Sequence, residues 1–314
     1  MREIFRLIRL RTLLFAIFTL YAMRYFVIRP ILAVNDFSLQ LSDVSFTLLV
    51  VAVCCLISGA YVINDYFDTR IDRIAGVKEV VVGRHISRRN AITLHFILNS
   101  MAVLIAFYLS MAVGIWKIAV LFMLVSGLLW FYSSEYKRYF LVGNVFVAFM
   151  VALIPLSVLV FEIPVLNIKY ADILTSTHTD FMYMFRWVGG FSCFLFVNAL
   201  LYEMNKDLYT LEGDRENGIQ TLAVRSGMTV ARGVIALIAG ICVVSVWLLY
   251  YTVFRGSDPV LFYFAGLSLF YLLYIGLILT KKRRRSGELA VIRLLMVGGI
   301  AFSLLLNRFF CSLF

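Results

Sequence analysis

Charge is what this chain has least of. Only 15% of its 314 residues are charged and only 18 are acidic, against 62% hydrophobic residues and a mean hydropathy of +0.93. That balance excludes a soluble globular composition. No long polar linker divides the sequence, so a single domain over residues 1–314 is expected. The five cysteines (Cys54, Cys55, Cys193, Cys242, Cys311) form no C-x-x-C pair, and none has a nearby His at metal spacing. Neither a disulfide framework nor a thiolate metal site is indicated. The net charge of +11 comes from bases scattered in loops between apolar runs. With no folded basic region to carry it, a nucleic-acid partner is excluded. The N-terminal bases precede an apolar stretch that reaches about Ile28 without a small-residue cleavage site. It reads as a retained first helix, not a signal peptide.

What the chain has in quantity is apolar runs long enough to cross a bilayer. Nine spans are predicted, roughly 10–31, 46–66, 90–113, 116–134, 139–161, 185–206, 229–253, 259–280 and 287–309. The tightest hinges are Gly114 to Lys117 and Tyr136 to Arg138. The N-terminus carries four Lys and Arg residues and the second, fourth, sixth and eighth loops six, two, four and five, together 21 of the 29. The positive-inside rule then puts the N-terminus and even-numbered loops in the cytoplasm and the C-terminus outside. The basic run Lys281–Arg285 is read as part of that topology signal. The polar stretch from Glu162 to Tyr183, with His178, is expected to be an outward loop.

The scarce acids are concentrated. Asn64 to Asp72 reads N-D-Y-F-D-T-R-I-D, so Asp65, Asp68 and Asp72 fall at i, i+3, i+7 and share one face of a helix. Clustered carboxylates repel one another unless a cation neutralises them. Hard oxygen ligands at a partly hydrated membrane interface suit Mg²⁺ that is also bound by substrate phosphates. A solvated helix end is the alternative, and the rarity of acids elsewhere weighs against it.

A second cluster runs from Tyr202 to Gly227, after the sixth span as the first follows the second. Glu203, Asp207 and Asp214 lie at i, i+4, i+11, near one face if the helix continues. Glu212 lies off that face and is expected to shape a turn at Gly213. Two such faces on the same side of the membrane would hold two or more Mg²⁺ and a diphosphate leaving group. Lys206, Arg215 and Arg225 would add positive charge for phosphate oxygens. Asn64 and Asn144 read either as orienting groups for phosphate or acceptor, or as plain interhelical hydrogen bonders. Asn198 and His95 read as structural. His85, in a cytoplasmic loop, is a weaker acid–base candidate.

These elements together resemble the UbiA superfamily of intramembrane aromatic and lipid prenyltransferases, over essentially the whole chain. The first motif is similar to that family's N-D-x-x-D-x-x-x-D at Asn64, Asp65, Asp68 and Asp72. The second is similar to K-D-x-x-D-x-x-G-D-R-x-x-G-x-x-T-L at Lys206, Asp207, Gly213, Asp214, Arg215, Gly218, Thr221 and Leu222. Between them, Tyr132, Ser133, Lys137, Gly143 and Asn144 resemble the family's Y-S-x-x-x-K and G-N elements. The resemblance implies an all-α polytopic bundle of nine transmembrane helices around a central cavity with a cytoplasmic cap. It also implies Mg²⁺ held by Asp65, Asp68, Asp72, Asp207 and Asp214, with Asn64, Tyr132, Lys137, Asn144, Glu203, Lys206 and Arg215 at the substrate. Two departures stand out. Thr210 occupies the place of the second motif's middle aspartate, which predicts weaker metal binding. Glu79 falls about where a phosphate-binding arginine is expected, leaving Lys78 or Arg84 to substitute.

The implied chemistry is loss of diphosphate from an allylic prenyl donor and capture of the C1 cation by an acceptor. Phe67, Tyr132 and Tyr202 are placed to offer cation–π contact. N-D-Y-F-D followed by V-V-V-G looks most like members that act on geranylgeranylglyceryl phosphate. An aromatic quinone precursor of 4-hydroxybenzoate or dihydroxynaphthoate type, a terpene cyclase, and a degenerate non-catalytic member are the other readings on this scaffold. An ion-coupled transporter is the reading of another class, and it is opposed by acids lying at span ends and by the lack of an inverted repeat. The expected partners are a prenyl diphosphate, a lipid-soluble acceptor and the bilayer of a cell's inner membrane, with no obligate protein partner.

Overall fold

The computed structural model describes residues 2–74, 81–280 and 285–311, all in helices and short connections. In a bilayer a backbone must satisfy its own hydrogen bonds, and apolar runs of this length do so as helices. The helices are α1 (Arg2–Leu7), α2 (Leu10–Ala22), α3 (Arg29–Ala33), α4 (Asp43–Ile74), α5 (Arg88–Ala112), α6 (Lys117–Ser134), α7 (Val142–Lys169), α8 (Ala171–Thr177), α9 (Tyr183–Glu216), α10 (Leu222–Ser226), α11 (Met228–Leu249), α12 (Asp258–Leu279) and α13 (Arg285–Cys311). A π-helical stretch, Met23–Ile28, joins α2 to α3, and another, Tyr250–Phe254, extends α11. Among the described residues, nine helices are long and apolar enough to span a membrane. The predicted hinges are real: Gly114 takes a left-handed φ of 81° and Tyr136–Arg138 forms a 3₁₀ turn.

Many large apolar side chains face outward, among them Leu104, Val244, Leu269 and Phe262. In water such a surface would aggregate, whereas in lipid it is the expected exterior. Cys54, Cys55, Cys193 and Cys242 are free thiols, and the side chain of Cys311 lies outside the described residues.

The chain divides into two compact units. One comprises Met1–Lys137 with Ile154–Gly189. Helix α4 packs closely on α5 at Gly59, where a Cβ would meet the Asn99 amide and force it to move. His95 Nδ1 lies 2.9 Å from the Gly59 carbonyl, and the Ser126 hydroxyl donates to Asn99 at 2.7 Å, giving both α5 residues the structural role expected of His95.

The same unit buries a charge network. Arg24, 1% exposed, donates to Glu162 Oε2 at 3.0 Å, to the Leu41 carbonyl at 2.5 Å and to Asp43 at 3.1 Å. Glu162 is fully buried and accepts the backbone N–H groups of Gln40 and Leu41 at 2.5 and 3.1 Å. One expectation changes here. Glu162 does not open an outward loop: α7 continues to Lys169, because a buried guanidinium neutralises its carboxylate. Arg24 lies in the π-helical stretch, where the Arg29 N–H reaches back five residues to the Arg24 carbonyl. Pro30 follows immediately and has no N–H to continue a regular ladder.

The other unit comprises Arg138–Leu153 and Gly190–Phe314. Here a Cβ on Gly299 would run into the Phe194 ring, so α9 and α13 pack through that glycine. Tyr271 on α12 donates to Asn198 Oδ1 at 2.9 Å, making Asn198 an interhelical tie, and Phe302 packs among Phe254, Phe264 and Tyr263.

Candidate active site

Helix α4 runs 32 residues and carries the whole first motif, so the i, i+3, i+7 spacing is a helical one. Asp65 and Asp68 are each 22% exposed at the side chain, at the end of a buried apolar helix face. Asn64 Nδ2 donates to Asp68 Oδ2 at 2.9 Å, and Lys137, from the 3₁₀ turn, donates to Asp68 Oδ1. Arg9 donates to Asp65 Oδ1 at 3.5 Å and lies over the Tyr61 ring at 4.5 Å. Arg88 lies over Tyr66 at 4.5 Å, and Phe67 makes an edge contact with Trp130. The side chain of Asp72, and Lys78 and Glu79 entirely, lie outside the described residues, as does the basic run Lys281–Arg284. Arg84 and His85 are exposed on the tight turn that Val82 and Ile86 close. Tyr132 is half-buried near the end of α6.

The second motif lies on α9, which continues to Glu216, so Glu203, Asp207 and Asp214 do share one helix. Asn144 Nδ2 donates to Asp207 Oδ2 at 2.7 Å. Lys206 pairs with Glu203 at 3.0 Å, one turn apart. The Thr210 hydroxyl donates to Asp214 Oδ2 at 2.7 Å. Gly213 is helical and marks no turn, so the role expected of Glu212 there falls away. The chain turns instead at Gly218, with φ of 71°. Thr221 then caps α10 by accepting from the Val224 N–H at 3.3 Å. Arg215 is exposed and Arg225 stacks on Phe140 at 4.9 Å. Arg293, from α13, donates to the Tyr202 hydroxyl at 2.6 Å.

Among the described residues, no group of three or more His, Cys, Asp or Glu converges as a ready metal site. The donor set still fits a hard dication. It is all oxygen, and a neutral amide or hydroxyl (Asn64, Asn144, Thr210) fixes one oxygen each of Asp68, Asp207 and Asp214. Such partners orient ligating carboxylates without removing their charge. Arg9 and Arg293 carried no signal as site residues. Arg9 lies 56 positions from Asp65 and Arg293 lies 91 from Tyr202, beyond any local spacing rule.

Nine described helices long and apolar enough to span a bilayer define an integral membrane protein, with one carboxylate motif on α4 and another on α9. The UbiA prenyltransferase family matches residues 30–298. A digeranylgeranylglyceryl phosphate synthase from Methanothermobacter thermautotrophicus is 33% identical over 211 residues, which cover 66% of this chain and 66% of that protein, just under two thirds of its length. In fold, the chain is similar to a UbiA homolog from Aeropyrum pernix K1 in its apo state, with a TM-score of 0.63, 14% identity and coverage of 90% and 97% of the two chains. It is also similar to a UbiA homolog from Archaeoglobus fulgidus bound to GPP and Mg²⁺, with a TM-score of 0.61, 14% identity and coverage of 98% and 99%. The chain belongs to the UbiA prenyltransferase family.

Proposed function

We propose that this enzyme transfers a prenyl group, with Mg²⁺, from an allylic prenyl diphosphate to a glycerol-phosphate lipid such as geranylgeranylglyceryl phosphate. The observation that carries the reading is the pair of aspartate motifs on α4 and α9, each braced by amide or hydroxyl donors. The acceptor class draws its support from the name of the 33% identical relative. Residues 1–314 act as one domain, with its N-terminus in the cytoplasm.

In this proposal Asp65, Asp68, Asp72, Asp207 and Asp214 bind the metal, and both motifs serve one diphosphate. Bound Mg²⁺ supplies electrostatic stabilisation of the charge that develops on the leaving group. Lys137, Lys206 and Arg215 offer charge-assisted hydrogen bonds to diphosphate oxygens, with Lys78 or Arg84 serving in place of the missing arginine. Asn64 and Asn144 hold Asp68 and Asp207 in position, and Glu203 holds Lys206. The C1–O bond of the donor breaks and diphosphate leaves with the electron pair. The acceptor hydroxyl oxygen bonds C1 and loses its proton to the released diphosphate or to water. Tyr132 and Tyr202 are aromatic neighbours for the cation, and the apolar surroundings exclude competing water.

The test is a product screen by mass spectrometry. Purified protein is given dimethylallyl, geranyl, farnesyl or geranylgeranyl diphosphate with glycerol-phosphate-lipid or aromatic acceptors. The expected result is pyrophosphate release that requires Mg²⁺ and the lipid acceptor, with a prenyl ether product. Release without any acceptor would point to a cyclase, and product only with 4-hydroxybenzoate would overturn the lipid assignment.

A further inference from the structure

We propose that Arg9 is a substrate-positioning residue of this prenyltransferase: it exchanges its Asp65 partner for a diphosphate oxygen when the donor binds. The inference rests on the function proposed above. Arg9 lies in the N-terminal segment, ahead of residues 30–298 that match the family.

That segment is fastened beside the first motif. Leu7 is fully buried in an apolar cluster with Val62, Val81, Val82 and Ala91, and Ile8 packs against the same cluster. Val62 lies on α4 just before Asn64, so the cluster fixes the α1–α2 junction against the motif-bearing helix itself. Arg9 is that junction. It takes a left-handed conformation, φ 52° and ψ 61°, a strained geometry for a side chain that is not glycine. The Asp65 pair does not by itself account for the strain. At 3.5 Å, with the Arg9 side chain 47% exposed, it is a weak surface pair. What the conformation achieves is placement: the guanidinium stacks on Tyr61 at 4.5 Å with its edge at the Asp65 carboxylate.

A stacked guanidinium presents a rigid fork of N–H donors that matches two phosphate oxygens. This chain also has a reason to need one. Glu79 stands where a phosphate-binding arginine is expected, and Arg9 brings a guanidinium to the same motif from another direction. Asp65 and Asp68 each carry a cationic neighbour here, Arg9 and Lys137. With Mg²⁺ held by these carboxylates, Arg9 and Lys137 would give up their carboxylate partners and could turn to diphosphate oxygens instead.

Such an exchange has a signature of opposite signs. Without ligand, Arg9 competes with Mg²⁺ for Asp65; with diphosphate present, it adds a contact. Isothermal titration calorimetry on the full-length protein in detergent would measure the affinity for Mg²⁺ alone, and for inorganic pyrophosphate at saturating Mg²⁺. In Arg9→Gln, Mg²⁺ alone is expected to bind about two- to fivefold tighter, as loss of a weak surface pair allows. Pyrophosphate is expected to bind roughly tenfold weaker, as loss of one charge-assisted contact implies. Arg9→Lys should restore part of the pyrophosphate affinity, and Arg6→Gln on α1 should change neither. Unchanged or tighter pyrophosphate binding in Arg9→Gln overturns the proposal. Weakening of both affinities with no recovery in Arg9→Lys marks a purely structural residue and overturns it as well. Should the wild type bind pyrophosphate without Mg²⁺, or Asp65→Asn bind as the wild type does, the metal reading itself falls, and Arg9's role with it.

Discussion

Asp68 commits both carboxylate oxygens, one to Asn64 and one to Lys137, while Asp214 accepts from Thr210 and Asp207 from Asn144. Carboxylates held this way are pre-oriented for a metal. Their loss should therefore touch catalysis far more than folding. Asp65→Ala, Asp68→Ala and Asp214→Ala are each expected to lower turnover at least about a hundredfold. Melting temperatures should stay near wild type, because these carboxylates sit at helix ends outside the apolar packing that holds the helices together. EDTA should stop the wild-type reaction and Mg²⁺ restore it; full activity in two of the three variants would refute the metal face. Thr210 sharpens the point. Its hydroxyl braces Asp214 and supplies no charge, so Thr210→Asp should lower the Mg²⁺ needed for half-maximal activity by roughly two- to tenfold, since affinity follows ligand charge. Thr210→Val, which removes the brace, should raise it. A titration of rate against Mg²⁺ for the three proteins reads both effects.

At the scale of elements, the buried pair of Arg24 and Glu162 ties the first span, residues 40–43 and α7 together. Removing one partner of such a pair leaves an uncompensated charge inside, at a cost of about 3–5 kcal/mol. Glu162→Ala and Arg24→Ala should each lower the melting temperature sharply in detergent, whereas Asp43→Ala, whose carboxylate is largely exposed, should lower it little. Equal melting for all three would mean that the network carries no stability. The same pair shows what the sequence could and could not reveal. Nine spans were legible because bilayer thickness sets the length of an apolar run. The ends at 161 and 206 were not. Glu162 reads as a helix end when it is in fact neutralised by Arg24, and α9 carries its charged motif ten residues further. Within the motifs, the shared helical face of Asp65 and Asp68 followed from period alone. The bond from Asn144 to Asp207 did not, because 63 residues separate the two and only the fold brings them together.

Across the whole molecule, the acidic motifs can serve one diphosphate only if α4 and α9 deliver them to the same side of the membrane. The asymmetry of 21 of 29 Lys and Arg residues, counted over loops short enough for the positive-inside rule to govern, predicts that side to be the cytoplasm and the C-terminus to lie outside. Arg24 is not among those 21, and its burial beside Glu162 leaves it no part in the charge count. Reporter fusions at Arg84, Arg215 and Arg283 are expected to register cytoplasm, and one at Asp172, in α8, the opposite side. A cytoplasmic signal at Asp172 would add or remove a span between α7 and α9. Arg84 and Arg215 on opposite faces would be the more damaging outcome: no single diphosphate could then reach both motifs, and the two aspartate clusters would need separate functions.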